Sequence, residues 1–281
     1  MIELGTAPII QTPKQTFGFF CRPDLAGKTF YEALEKELKQ YKPEILKEAL
    51  NGEFYFDSDG ILRGSNSPLN VLINYKNLLP EGEHLLSIAE FGLAFNENPD
   101  AFTGTYQDTA QIARTAEDYF SNHFIKQIKA RGKTPTPRVP IVVSNTDLIP
   151  KADRKSRCGF VYILKEDATL IEAPEYGSSQ SIIKFTIYDA RGIAIPDKGG
   201  DKNIWKRNDN VARVCLDSVQ DANSDDEHLA SSVSSGRVVV GKPNVPQGFS
   251  QIEKKIAEEE AKRKKWAANN KKNLACRLAE L

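Results

Sequence analysis

The sequence has few of the residues that build metal sites and disulfide frameworks. Its 281 residues include four cysteines and three histidines, and no two cysteines form a Cys-x-x-Cys pair. A structural zinc site needs closely spaced Cys and His ligands, so we expect no metal and no cofactor. The cysteines lie far apart, which indicates reduced thiols and a cytoplasmic protein; they are Cys21, Cys158, Cys215 and Cys276.

The sequence also lacks a long hydrophobic run. Its longest apolar stretch, from Leu85 to Phe95, is interrupted by Glu90 and is too short to cross a bilayer. The first residues do not combine a basic segment with an apolar one, so no secretory signal is expected. We therefore expect no integral membrane association.

The chain has no net charge, because 38 Lys or Arg residues balance 38 Asp or Glu residues. The charges are unevenly distributed along it. Residues 249–281 contain nine Lys or Arg and five Glu, a net charge of +4, so the first 248 residues carry −4. An acidic body of this kind is not typical of a protein that coats duplex DNA with its whole surface.

The second half of the chain is dominated by β-branched and aromatic runs separated by turn residues. This spacing is typical of an antiparallel sandwich or small barrel. Strands are expected at Val139–Val143, Gly159–Lys165, Thr169–Glu172, Ser181–Tyr188, Val211–Leu216 and Arg237–Val240. Residues 217–236 are rich in acidic and small residues, and they predict a mobile acidic loop within this region.

The first half of the chain predicts both helices and strands. The apolar runs Leu69–Tyr75 and Leu85–Phe95 are typical of strands, and the turn at Asp57–Gly60 predicts a β-hairpin between its aromatic and apolar neighbours. Apolar residues at helical spacing predict a helix over residues 106–129. The two prolines of Thr134–Pro137 are unfavourable in a helix and in a central strand, so we predict a boundary between two regions of the chain there.

These patterns together predict an α+β fold. It has a mixed α/β region over residues 1–133, an antiparallel β-rich region over residues 139–242, and a C-terminal basic amphipathic helix over residues 249–281.

The C-terminal segment carries the clearest functional signal. Between Ala261 and Arg277 there are seven basic residues and no acidic one. Basic side chains gain affinity for a phosphate backbone by releasing counterions. We predict nucleic-acid contacts from Lys262, Arg263, Lys264, Lys265, Trp266, Lys271 and Lys272. Apolar positions at helical spacing in this segment also predict a protein partner or self-association.

Two alternatives for this segment remain open. A solvated surface helix, whose Lys side chains cover apolar area, fits the same pattern. So does a segment that docks on the acidic residues 217–227 of its own chain.

A second basic segment contains an aromatic residue. Lys202, Lys206 and Arg207 surround Trp205 in a sequence that is typical of a turn. Cations beside an aromatic ring can hold single-stranded nucleic acid without reading its sequence. The alternative is a solvated loop whose Trp folds back on the sheet.

A partial phosphate-binding motif is the strongest indication of an enzyme. Gly27, Lys28 and Thr29 match the end of a P-loop, but Arg22 stands where the first glycine belongs. No residue is predicted to be catalytic. We therefore expect a non-enzymatic binding or assembly protein, with a nucleotide-binding phosphoryl-transfer enzyme and a purely structural subunit as the alternatives.

Overall fold

The structure is a computed structural model, and it describes residues 20–21, 55–56, 62–77, 79, 82–156, 159–177, 182–225, 229 and 234–241. Within these residues, helices pack against a large, curled, antiparallel-rich sheet that forms a half-barrel. The broad α+β class predicted from the sequence is confirmed. The predicted C-terminal helix lies outside the described residues.

The described strands range from two to seven residues in length. In chain order they are β1 (Phe20–Cys21), β2 (Tyr55–Phe56), β3 (Leu62–Arg63), β4 (His84–Leu85), β5 (Gln107–Ala113), β6 (Ile141–Ser144), β7 (Leu148–Ala152), β8 (Phe160–Leu164), β9 (Ile171–Glu172), β10 (Ile182–Tyr188), β11 (Ala194–Pro196), β12 (Lys202–Lys206), β13 (Val211–Leu216), β14 (Ala222–Ser224) and β15 (Val239–Gly241).

The half-barrel is an eight-stranded sheet with the order β11–β10–β12–β14–β13–β5–β6–β9. Its neighbouring strands are antiparallel except for β12 and β14, which run parallel. A smaller sheet has the order β1–β15–β4, and the pairs β2–β3 and β7–β8 are antiparallel.

Three α-helices in the described part of the chain begin at capping side chains, which satisfy the free N–H groups of the first turn. Ser87 and Glu90 form a capping box at the second helix, and Asp118 and Ser121 form one at the third. The helices are α1 (Ser67–Tyr75), α2 (Ile88–Glu97) and α3 (Tyr119–Ala130).

Side-chain alternation along β5 divides the core between the two faces of the main sheet. Ala110 and Ile112 belong to a cluster that includes Phe91 and Phe95 of α2, whereas Ala113 belongs to a cluster that includes the buried face of α3. Both faces of β5 are therefore covered, and every residue of this strand is buried.

Helix α3 buries its aromatic face against the β7–β8 hairpin. The centroid of the Phe120 ring lies 5.9 Å from that of Phe160 and 5.5 Å from that of Tyr162, and both pairs pack edge to face. Phe124 and Ile128 are fully buried on the same face. The opposite face of α3 is left toward solvent.

Helix α2 lies against the β10–β11 turn at a contact that only glycine fits. Gly192 has a φ of +78°, and a Cβ added there would lie 2.0 Å from the Ile88 carbonyl oxygen. A Cβ added to Gly92 of α2 would lie 2.8 Å from the Gly192 Cα. The two glycines therefore let the backbones of helix and turn touch.

Two apolar runs predicted as strands are helices instead. Leu69–Tyr75 lies in α1, and most of Leu85–Phe95 lies in α2. In α1 every residue from Leu69 to Ile73 is buried, Asn70 included, so the helix lacks the solvent-facing polar stripe by which an amphipathic helix is identified in a sequence.

The helix predicted over residues 106–129 is correct only from Tyr119 onward. Gln107–Ala113 forms β5, which pairs with β6 on one side and β13 on the other. Ile112 fits the helical spacing of the later residues, but hydrogen bonds from strands distant in sequence decide its conformation.

The remaining strand predictions are mostly confirmed. Each of the six predicted runs contains a strand, and the predicted hairpin is β2–β3. The acidic loop predicted over 217–236 is wrong for Ala222–Ser224, which forms β14. The division into residues 1–133 and 139–242 stays a prediction, although the main sheet contains β5 from one side and β6 from the other.

We predict that Gly192→Ala destabilises the protein by about 2 kcal/mol or more. The added Cβ would clash with the Ile88 carbonyl oxygen, and alanine would have to adopt the left-handed backbone conformation that glycine has there. Gly199→Ala is the control, since its Cβ would make only an ordinary contact at 3.5 Å with Asp197. Urea unfolding measures both variants. Equal stability of the two would contradict this packing of α2.

Candidate functional site

The predicted Trp-containing basic segment is a strand rather than a turn. Lys202–Lys206 forms β12 between β10 and β14 in the main sheet, so the predicted turn is wrong. Polar side chains on this strand have polar partners on neighbouring strands. Because those partners are distant in sequence, the local sequence does not indicate a strand.

Strand alternation separates Trp205 from Lys202 and Lys206. The ammonium of Lys202 lies 5.7 Å from the Phe95 ring centroid on the α2 side, and its Nζ is 3.0 Å from an Asp201 carboxylate oxygen. Lys206 is 5% exposed on the same face. Trp205 projects from the opposite face, so these three side chains do not form one surface.

Trp205 is held by the acidic segment that was predicted to be a mobile loop. Its Nε1 donates to Asp221 Oδ2 at 2.9 Å, and the same carboxylate accepts from the Asn203 backbone N at 2.7 Å and from Asn203 Nδ2 at 3.0 Å. The indole ring is half-buried beside Ile182 of β10, and Ile182 is 43% exposed. A partly exposed ring therefore remains on this face of the sheet.

Arg207 pairs with a neighbouring acid. Its Nε lies 2.5 Å from Asp209 Oδ1, and the Asp209 side chain is 53% exposed. This hydrogen bond from Arg207 is the main cause that lowers the Asp209 pKa.

The other predicted site residues lie outside the described residues. They comprise the partial phosphate-binding motif at Gly27, Lys28 and Thr29, and the C-terminal basic residues from Lys262 to Lys272.

The solvent face of α3 forms an open groove with a volume of about 510 Å³. Tyr119, His123 and Lys126 follow one another at helical spacing along it, and Lys129 continues the line. The Tyr119 and His123 rings are stacked with their centroids 6.4 Å apart, and Tyr119 is 42% exposed. The groove therefore offers an aromatic surface followed by two cations.

The two lysines of this groove make no ion pair with the described residues. The acidic group at the other end is Asp153, which accepts the Tyr119 hydroxyl at 2.9 Å. That hydrogen bond raises the Tyr119 pKa and orients the ring. None of these groove residues was among the site residues predicted from the sequence.

A polar cluster joins α1 to β5 in the interior. Asn70 Nδ2 donates to the Asp108 carbonyl at 2.9 Å, and Gln111 Nε2 donates to Ser67 Oγ and to Asn145 Oδ1. The adjacent cavity has a volume of about 10 Å³, which is at most the space of one water molecule. This cavity is too small for an organic substrate.

Ser87, Glu90 and His84 form a chain of hydrogen bonds that does not have the order of a hydrolase triad. Glu90 accepts from Ser87 Oγ at 2.8 Å and lies 2.8 Å from His84 Nε2, so the carboxylate separates the hydroxyl from the imidazole. A triad needs the imidazole beside the nucleophile. These hydrogen bonds therefore cap the N-terminus of α2 and do not form a catalytic site.

Within the described ranges, no group of three or more His, Cys, Asp or Glu side chains could hold a metal ion. No helix in the same ranges is long and apolar enough to cross a membrane.

Comparison with protein-family models, with curated proteins and with solved structures finds no match to this chain.

We predict that Asp221→Ala destabilises the protein by about 1–3 kcal/mol, because three donors on β12 lose their acceptor. The Trp205 ring should also become more exposed, so tryptophan fluorescence should shift to the red. Guanidinium unfolding and emission spectra measure both effects. Asp209→Ala is the control, and an Asp221→Ala variant that matches it in stability and spectrum would contradict this role.

We predict a pH-dependent contribution from the His84–Glu90 pair. The hydrogen bond to Glu90 raises the His84 pKa, so the pair stabilises the fold at low pH and loses that contribution as pH rises through this raised value. Burial opposes ionisation of Glu90, but hydrogen bonds from His84 and Ser87 outweigh it and lower the Glu90 pKa. Acid therefore removes a second contribution.

Urea unfolding of the parent and of His84→Gln between about pH 6 and pH 8 tests this pair. The parent should lose more stability over this range, by less than about 1 kcal/mol, because both side chains are partly exposed. An identical pH dependence in the two proteins would exclude the contribution.

Proposed function

We propose that this chain is a non-enzymatic binding protein that contacts the backbone of single-stranded nucleic acid. The observation that carries the proposal is the groove on α3, where the exposed Tyr119 ring, stacked on the half-buried His123 ring, lies beside Lys126 and Lys129. The basic C-terminal segment supplies additional positive charge in the same proposal.

The aromatic rings support single-stranded rather than duplex nucleic acid. Bases of a single strand can stack on an exposed ring, whereas bases of a duplex are already stacked on one another. Tyr119 is held in position by its hydrogen bond to Asp153 and by the His123 ring, so little side-chain freedom would be lost on binding.

The lysines support a phosphate ligand. Because Lys126 and Lys129 form no ion pair among the described residues, a phosphate would not have to displace an acidic partner. Lys202, which the sequence also predicted, is already close to Asp201. In this proposal the α3 groove therefore takes the place of Lys202 and Lys206 as the ordered contact.

We predict that Lys126→Gln with Lys129→Gln weakens binding of a fluorescent oligothymidylate and reduces the salt slope of log K by about 1.4, as expected for two lost phosphate contacts. Tyr119→Ala should weaken binding about fivefold or more through lost stacking. Fluorescence anisotropy over a series of salt concentrations measures both changes.

Lys151→Gln with Lys198→Gln is the control for charge, since both lysines are exposed outside the groove. Tyr119→Phe is the control for the ring, because it removes only the hydroxyl that meets Asp153. If both double variants lose affinity equally, net charge explains the loss, and the groove is not the binding site. Loss of binding only after Lys262–Lys265 are replaced by Gln would assign the contact to the C-terminal segment instead.

A further inference from the structure

Arg114 is a buried cation with no carboxylate partner among the described residues. Arg114 is the first residue after β5, and it is 1% exposed. Nη1 donates to the Ser224 carbonyl at 3.1 Å and Nη2 donates to the Ser224 hydroxyl at 3.0 Å. Nε is buried and has no acceptor within the described part of the chain. Neutral oxygens therefore accept from two of its nitrogen atoms, and no carboxylate among the described residues contacts the guanidinium.

The sheet topology brings a second cation to the same end of the half-barrel. β12 and β14 are parallel, and β13 is antiparallel to both β14 and β5, so β5, β12 and β14 end on the same side. Arg114, Lys206 and Ser224 stand at these three strand ends. Lys206 is 5% exposed.

The nearest acidic residues do not neutralise Arg114 by contact. Asp209 is hydrogen-bonded to Arg207, and neither Asp209 nor Asp225 forms an ion pair with Arg114 among the described contacts. Their influence on Arg114 is smaller than the effects of burial and of the Arg207 charge. Among the described contacts, the Arg114 guanidinium therefore has no carboxylate partner.

The charge of a neighbouring cation disfavours ionisation of both Arg114 and Lys206. Burial, followed by the charge of Arg207, lowers the pKa of Arg114 to about 10. Burial and the charge of Arg114 lower the pKa of Lys206 to about 8. A buried charge normally has an opposite charge beside it, because removing it from water costs several kcal/mol. An anion beside Arg114 would remove this conflict.

We propose that Arg114 and Lys206 bind a small oxyanion with the chemistry of phosphate. Arg114 Nε would donate to one oxygen, since guanidinium N–H groups suit oxyanions, and Lys206 would supply a second charge. Tyr176 is fully buried close to Arg114, and its hydroxyl accepts from the Ala194 N at 3.2 Å. Its proton is therefore available for a further oxygen. This site does not depend on the proposed nucleic-acid groove.

The test is thermal unfolding of the full chain in phosphate against sodium chloride at equal ionic strength. Phosphate at a hundredfold excess over its Kd should raise the Tm of the parent by about 5 °C. Arg114→Met, which keeps the length of the side chain without its charge, should lose this rise. In phosphate-free buffer the same variant should be at least as stable as the parent, because an uncompensated charge has been replaced by an apolar group.

Arg213→Met is the matched control, since Arg213 is also buried but lies 3.5 Å from an Asp108 carboxylate oxygen. It should unfold at a lower temperature and keep the rise in phosphate. Calorimetric titration of the parent with phosphate, sulfate and AMP distinguishes a free oxyanion from the phosphoryl group of a larger ligand, and it needs no variant. Absence of heat with all three ligands, or an equal phosphate response in Arg114→Met, would overturn the proposal.

Discussion

The structure depends on the compensation of polar groups along β5, an interior strand of the half-barrel. Both faces of this strand are buried, yet Gln107, Asp108, Thr109 and Gln111 all lie on it. Each buried polar group needs a hydrogen-bonding partner, because leaving it unpaired costs about 1–3 kcal/mol. Helix α1 supplies Asn70 and Ser67 for this purpose, and the turn after β6 supplies Asn145. These hydrogen bonds connect α1 and the turn after β6 to β5, while Gln107 Oε1 and Gln111 Oε1 have no partner among the described residues.

The need of a buried polar group for a partner also applies to the guanidinium of Arg114. It continues β5 by one residue, and its guanidinium enters the interior where neutral oxygens of Ser224 bind two of its nitrogens. Arg213, on the neighbouring strand, shows how the fold treats a buried guanidinium that has a counter-charge, since Asp108 lies beside it. The contrast between these two arginines distinguishes a structural ion pair from a site that requires an anion. The groove on α3 differs from both, because its lysines remain in solvent and their charge is available without any rearrangement.

Much of the β-rich region could be predicted from sequence, but the candidate sites could not. Val211–Leu216 and Ile182–Tyr188 contain β-branched residues whose local preference agrees with their place in the sheet. β5 and α1 show no such agreement. Gln107–Ala113 is largely polar although it is a buried strand, and α1 buries Asn70 together with its apolar residues, so the conformations of both segments follow from distant partners. Trp205 and its neighbouring lysines were correctly noticed as unusual, but a turn was predicted where strand alternation sends them to opposite faces. Arg114 carries no local signal at all, because its burial depends on the meeting of three strand ends.

The central claim is that the charge of Arg114 is balanced by a bound anion rather than by the protein. A crystal structure of the full chain grown with selenate tests this claim most directly, since selenium scatters anomalously and selenate has the shape of phosphate. We expect an anomalous peak from a selenate that has an oxygen within hydrogen-bonding distance of Arg114 Nε. A crystal without that peak, in which a carboxylate of the same chain meets Arg114, would contradict it.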